Sequence, residues 1–247
     1  MAQELPYNRL VLILALDTSS RAGSVAVLRG EAVLGVVSTS SDENFSSRIF
    51  RQIEFLLHEL SMGLEHFDLF AVAAGPGSFT GLRVGLTAAK GWGEVYGKPI
   101  AAVGTLEAIA AQSRSRVGHI AAVLDARRGQ VYCGLYRLPP ESIAADVKRD
   151  GEEYVMAPAE FLRHVLEQTS DSDVAIVTPT PEVISEALEQ IGEKRGQFVV
   201  EQVSTILAPV VGQLGYRHAQ RGRLTDSLTL AANYVRRSDA ELNWKNT

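Results

Sequence analysis

A chain of 247 residues with 46% hydrophobic side chains holds one large domain or two small ones around a real core, which excludes intrinsic disorder. Its 24 Lys and Arg against 29 Asp and Glu leave a net charge of −5, so the cationic excess of a self-sufficient nucleic-acid binder is missing and any RNA contact has to be local or shared. Cys133 stands alone, which excludes an internal disulfide and a multi-cysteine zinc site and makes a reducing compartment, the cytoplasm, the expected location.

Residues 10–17 are apolar up to the acidic Asp17; too short for a membrane span and without a cleavage pattern, they read as a central strand buried on both faces. Residues 24–28 and 32–38 read as two further strands joined at Arg29-Gly30-Glu31. From Ser46 the period changes to helical, with Ile49, Phe50, Ile53, Leu56, Leu57 and Leu60 on one stripe and an end near Gly63. A strand at 69–74 breaks at Gly75-Pro76-Gly77 before a second helix that Lys98-Pro99 closes. A strand at 100–103, a helix at 106–112 capped by Thr105 and a strand at 120–125 come next. Beyond these, residues 158–167, 181–191 and 205–220 read as helices and 174–178 as a strand, while 243–247 read as a loose tail.

The segment Leu14-Ala-Leu-Asp17, its turn and Gly23-Ser-Val-Ala-Val return 108 residues later as Ala122-Val-Leu-Asp125 and Gly129-Gln-Val-Tyr-Cys. Two βββαβα halves side by side, 1–115 and 116–247, describe an α/β protein of the actin-like, sugar-kinase-like architecture. In such a fold Asp17, Thr18 and Ser19, with Asp125 opposite, stand where a nucleotide cleft would be; the plainer reading is that the two aspartates cap their own turns.

The segment from Gly75 through Pro76, Gly77, Ser78, Phe79, Thr80 and Gly81 to Arg83 is the most distinctive. Its glycines allow a tight turn, Ser78 or Thr80 can cap the next helix, and backbone N–H groups there would attract an anion, although it matches neither the phosphate-loop nor the dinucleotide pattern. Gly81, Gly85, Ala89 and Gly93 recur in steps of four, leaving a nearly bare stripe on the second helix. Each helical glycine costs roughly 1 kcal/mol relative to alanine. The stripe either packs on the protein's own sheet or, with Ile49, Phe50, Ile53 and Leu57, meets the helices of a partner subunit. The five histidines form no His-x-x-x-His, no Gly-x-Ser-x-Gly elbow occurs, and Cys133 lies within a strand, so no catalytic residue and no metal site are expected.

Residues 13–19 (Ile-Leu-Ala-Leu-Asp-Thr-Ser), 75–85 (Gly-Pro-Gly-Ser-Phe-Thr-Gly-Leu-Arg-Val-Gly), 124–132 (Leu-Asp-Ala-Arg-Arg-Gly-Gln-Val-Tyr) and 232–236 (Ala-Asn-Tyr-Val-Arg) resemble the signatures of the TsaB family, formerly called YeaZ. The resemblance covers nearly the whole chain in the right order. It implies an actin-like fold and a part in forming threonylcarbamoyladenosine on tRNA, as the required partner of a TsaD-like catalytic subunit joined by a TsaE-like ATPase, with tRNA held through the complex and a homodimer when the chain is alone. The catalytic relative carries its metal ligands as His-x-x-x-His; here Thr105 and Ile109 fall at those places, and neither replaces an imidazole. Many relatives also carry a histidine at the start of the first helix, where this chain has Asn44-Phe45. No cofactor is required on this reading, and weak ATP or ADP binding is compatible with it.

The competing reading is an ATP-dependent phosphotransferase of the sugar-kinase or acetate-kinase kind, resting on the fold echo and the two aspartates; a self-acting metalloprotease is the remote third. Arg127, Arg128, Arg236 and Arg237 are candidate RNA contacts, though basic pairs are commonly plain solvated surface.

Overall fold

In the computed structural model, which describes residues 11–40, 45–115, 118–138, 147–170 and 172–236, with backbone only for 45–47, Leu12–Asp17 forms strand β1 with every residue buried. It pairs antiparallel with β2 (Ser24–Arg29), which pairs antiparallel with β3 (Ala32–Ser38). On its other side β1 runs parallel to β4 (Leu69–Gly75), and β4 parallel to β5 (Ile100–Gly104), giving the order β3-β2-β1-β4-β5. The parallel crossovers need helices, and the sequence supplies them in α1 (Phe45–Glu59) and α2 (Phe79–Tyr96).

Strand alternation decides which helix covers which face. Leu12, Leu14, Leu16, Val25, Val27, Phe70 and Val72 share one core cluster with Ile49, Ile53, Leu56 and Leu57 of α1 and Leu82, Leu86 and Ala89 of α2. The opposite face carries small residues, which lets the last helix, Ala208–Gln220, lie close: a Cβ at Gly212 would meet Ala15 at 3.1 Å and one at Gly215 would meet Ala71 at 2.7 Å. Before it in the chain come α3 (Thr105–Ala110), α4 (Pro158–Thr169) and α5 (Glu182–Gln190), so it is α6.

A second sheet holds β6 (His119–Asp125), β7 (Val131–Arg137), β8 (Lys148–Met156), β9 (Val174–Thr178) and β10 (Phe198–Gln202), in the order β10-β9-β6-β7-β8. Helices α4 and α5 cover it through Phe161, Leu162, Val165, Ile184 and Leu188 against Ala121, Val123, Val131, Cys133 and Ile176. Renumbered from its own first strand, this sheet has the topology of the first, with Asp125 ending β6 as Asp17 ends β1. The duplication expected from the sequence echo is therefore built into the backbone.

Three expectations change. The chain divides into a unit of Met1–Thr105 with Ile206–Tyr234 and a unit of Leu106–Thr205 with Val235–Thr247, not into contiguous halves at 115/116. The reason is packing: α6 lies on β1, β2, β4 and β5, while Leu106 of α3 comes within 3.7 Å of a Cβ placed on Gly134 in β7. Strands β8 and β10, unforeseen individually, form the edges of the second sheet. Thr105 does not cap its helix, because its hydroxyl oxygen is buried without a hydrogen-bond partner. The tail at 243–247, Arg237 and Asn44 lie outside the described residues. Among the described residues no helix is long and apolar enough to cross a membrane.

Candidate functional site

At the end of β1 the Asp17 carboxylate folds back on its own turn: Oδ1 accepts from the Ser19 amide at 2.9 Å and from the Ser19 hydroxyl at 2.6 Å. The other oxygen, Oδ2, and the Thr18 hydroxyl are buried with no hydrogen-bond partner. Asp17 and Thr18 expose 0% of their surface. Burial pushes the Asp17 carboxyl up to about 6, against the opposing pull of the two Ser19 hydrogen bonds.

This turn is buried by the Gly75-Pro76-Gly77 loop and the helix behind it. The Ser78 amide donates to the Ser19 carbonyl at 2.7 Å. A Cβ at Gly77 would sit 2.5 Å from that same carbonyl oxygen, and one at Gly85 would sit 2.4 Å from Thr18 Oγ1. Both glycines are thus present because the turn is in the way of any side chain. Of the two candidate caps, Ser78 performs the task, accepting from the Gly81 amide at 3.2 Å. The loop and the β1 turn, read separately from the sequence, are one clasp.

A third motif closes on them. The Asn233 amide donates to the Ala74 carbonyl at 2.7 Å, and Gly75, at φ +113°, would drive a Cβ to 2.6 Å from the Asn233 carbonyl oxygen. The Tyr234 ring lies 5.0 Å from that of Phe79, and its hydroxyl accepts from Arg83 Nε at 3.2 Å. The Arg83 guanidinium in turn covers the Phe79 ring at 3.8 Å. Sequence reasoning found residues 232–236 and Arg83 but not this assembly, nor Phe79 as its centre, since nothing in one sequence ties positions about 150 residues apart.

The fourth motif lies in the second unit. Asp125 Oδ1 accepts from the Arg127 amide at 2.7 Å, and the Arg127 guanidinium stands 3.5 Å from Oδ2. Arg127, Arg128 and Gly129 take positive φ of 64°, 56° and 71° in this turn. Arg236 donates to the Ala126 carbonyl at 2.8 Å and to the Gln130 side-chain oxygen and lies over the Tyr132 ring, so it ties this turn to the C-terminal motif.

Two further site expectations are corrected. Asp17, Thr18 and Ser19, expected beside a nucleotide cleft, are buried, with the Gly77 and Gly85 positions of the same unit pressed against Ser19 and Thr18. The proposed partner stripe is also mostly internal: Ile49, Ile53, Leu57, Gly81, Gly85, Ala89 and Gly93 are buried, and a Cβ at Gly93 would lie 2.9 Å from Ile100. Of that set Phe50 alone is exposed, at 48%. It meets Trp92 edge-on at 6.5 Å, and Phe55 and Val95 are exposed large apolar residues on the same two helices.

Thr105 and Ile109 are fully buried, and among the described residues no three His, Cys, Asp or Glu side chains come together as a metal-holding group. Burial pushes the Cys133 thiol up to about 12, which makes it an inert packing residue.

A family model described as TsaD, tRNA N6-adenosine threonylcarbamoyltransferase, matches residues 28–194, well over half of the chain. The chain belongs to this family. The tRNA threonylcarbamoyladenosine biosynthesis protein TsaB of Bacillus subtilis is 42% identical over 125 residues, 51% of this chain and 55% of that protein. The protein of the same name in Escherichia coli is 32% identical over 127 residues, 51% of this chain and 54% of that one. The matched stretch spans about half the length of these curated relatives. Among solved structures, YeaZ from Pseudomonas aeruginosa superposes with a TM-score of 0.71 at 22% identity, covering 91% of this chain and 99% of that one. The fold is therefore the YeaZ one, with the duplicated α/β sheet expected from the sequence, and the resemblance to TsaB read from the four motifs holds.

Proposed function

We propose that this chain is the non-catalytic partner of a TsaD-like threonylcarbamoyltransferase, needed for threonylcarbamoyladenosine to form at tRNA position 37. A TsaE-like ATPase joins the assembly, and tRNA is engaged through the complex. The observation that carries this reading is the pair Thr105 and Ile109, buried side chains without metal-binding capacity at the places where the resemblance puts the catalytic relative's histidines. The relatives give the phosphotransferase alternative no support, and Asp17, on which it rests, has no exposed surface. No cofactor of its own is required; calorimetry with ATP and Mg²⁺ on the isolated chain measures any weak binding.

The docking surface is set by the burial of the stripe. With the small residues of α2 turned inward, the outer flank offers Phe50 of α1, edge-on to the half-buried Trp92 of α2, and the exposed Val95. In the partner's absence the same flank pairs two copies of the chain. Co-purification with a tagged TsaD-like protein, then a modification assay with and without this chain, tests the reading. The intact chain is expected to be captured and to be required for product. Phe50→Asp, at an exposed position, is expected to leave the thermal midpoint within about 2 °C while lowering capture at least tenfold. Modified tRNA made by this chain alone, or by the partner without it, would overturn the proposal.

A further inference from the structure

Arg236, one of four candidate RNA contacts, is hydrogen-bonded inside the second unit, whereas the first unit displays a cation with a different construction. Arg83 is exposed, and among the described residues its two terminal amino groups have no acceptor, although the rest of its head is fixed. Nε is held by the Tyr234 hydroxyl at 3.2 Å and the guanidinium lies 3.8 Å over the Phe79 ring, so the fork is oriented before any ligand arrives.

The surroundings match one ligand chemistry. Thr80, Arg83 and Thr87 are exposed and Lys90 is half-buried, and their spacing of three and four residues puts them on one flank of α2 over about 15 Å of helix. No Asp or Glu occurs from Phe79 to Lys90, and Glu94, one turn beyond on the same flank, accepts a hydrogen bond from the Ser227 hydroxyl. In a chain of net charge −5 this is a local cationic strip bearing hydroxyl donors. Beside it Tyr234, 45% exposed, offers a ring next to the arginine. A fixed guanidinium fork, flanking hydroxyls and an exposed aromatic ring are what a phosphate backbone with unstacked bases requires. Helix wheel geometry turns this strip away from Trp92, the residue that meets Phe50.

We infer that the Thr80, Arg83, Thr87 and Lys90 flank of α2, with Tyr234, contacts the phosphate backbone of single-stranded or looped RNA. The inference rests on the tRNA reading above and adds the surface that reading lacks. Its test uses the full chain co-purified with its TsaD-like partner and a labelled tRNA, with binding measured across a salt series. Arg83→Gln is expected to weaken binding at least tenfold near 100 mM salt and to reduce the salt slope by about 1, with Arg83→Lys recovering the slope but not all of the affinity. Thr87→Asp leaves the Phe79, Arg83 and Tyr234 stack intact and is expected to weaken RNA binding as well, which guards against a folding artefact. Unchanged affinity and slope in a complex that still assembles would overturn the inference. So would a loss of partner capture without a change in RNA binding, which would assign the flank to an acidic protein surface instead. Failure of the parent chain to assemble with the partner is a different outcome, and it would fall on the function proposed above.

Discussion

In the first unit the turn after β1 is closed over by the Gly75-Pro76-Gly77 loop, and Asp17 has no contact with solvent; in the second the turn after β6 stays open, and Asp125 keeps part of its side chain exposed and pairs with Arg127. The two sheets share a topology, so the sheet is not the cause. The difference lies in the segment after the fourth strand of each. Ala74-Gly75-Pro76-Gly77 leads into an 18-residue helix with glycines at 81, 85, 91 and 93, while Thr178-Pro179-Thr180 leads into a nine-residue helix with none. Where side chains are missing the helix start can press against the turn; where they are present it cannot. Glycine cost in a helix is thus offset by close packing on Thr18 at Gly85 and on Ile100 at Gly93 in one unit and never incurred in α5 of the other.

The sharpest way to break this contrast is to return a side chain to the clasp. Gly85→Leu would begin with a Cβ 2.4 Å from Thr18 Oγ1 and 3.5 Å from Val72. Overpacking of that kind costs about 3 kcal/mol, which is a fall of about 10 °C in thermal midpoint for a chain of this size. Calorimetric scanning checks it, with Ser185→Leu on the exposed side of α5 as the second-unit control expected to stay within about 2 °C. A Gly85→Leu midpoint matching the parent would mean the turn is not clasped. The same variant cannot report on partner docking, because it destabilises the subunit before any partner is met.

The next effect depends on pH. Because burial raises the Asp17 carboxyl from 3.8 to about 6, the folded chain binds that proton more tightly than the unfolded one. The stability this contributes is fully present below about pH 4 and is lost as the pH rises through 6, a difference of up to ~3 kcal/mol. Asp17→Asn keeps an oxygen for the two Ser19 donors and never ionises. Urea unfolding is expected to show it more stable than the parent at pH 8 by up to ~3 kcal/mol and equal to it near pH 4. Parallel pH curves for the two proteins would show that Asp17 is not held in a dry clasp.

The first unit was legible from the sequence because its central strands are buried on both faces and its breaks fall at glycine and proline. Strand β8, reading Lys-Arg-Asp-Gly-Glu-Glu at its start, is an edge strand with Gly151 at φ +86° and a register shift against β7, so neither apolar alternation nor a continuous apolar run marks it. Strand β10 is also an edge, five residues long, with Val199 turned outward. The stripe of Ile49, Ile53, Gly85 and Gly93 is legible as a contact surface, and of the two covers the sequence allows, the structure packs it on its own unit. Periodicity reports that a face is covered and says nothing about whether the cover belongs to the same chain. The return of α6 to the first sheet was hidden for the same reason: its apolar face fits either sheet, and only the small residues Ala15, Ala71 and Ala101 opposite Gly212 and Gly215 make the choice.

The smallest expected effect lies at the counterpart aspartate. Asp125 accepts one amide bond from Arg127 and stands 3.5 Å from its guanidinium, which is 68% exposed, so solvent and salt screen the pair. Asp125→Asn retains an acceptor for the amide and gives up only the screened attraction, a loss well under 1 kcal/mol that fades further in high salt. Urea midpoints between pH 4 and 8, with and without added salt, measure it. Two aspartates at the same place in a duplicated sheet are then expected to respond in opposite directions at pH 8, the first gaining stability on neutralisation and the second losing a little. Equal responses would mean that the loop after the fourth strand does not set the environment of the turn it faces, and the division of the two units into a closed clasp and an open turn would have no energetic content.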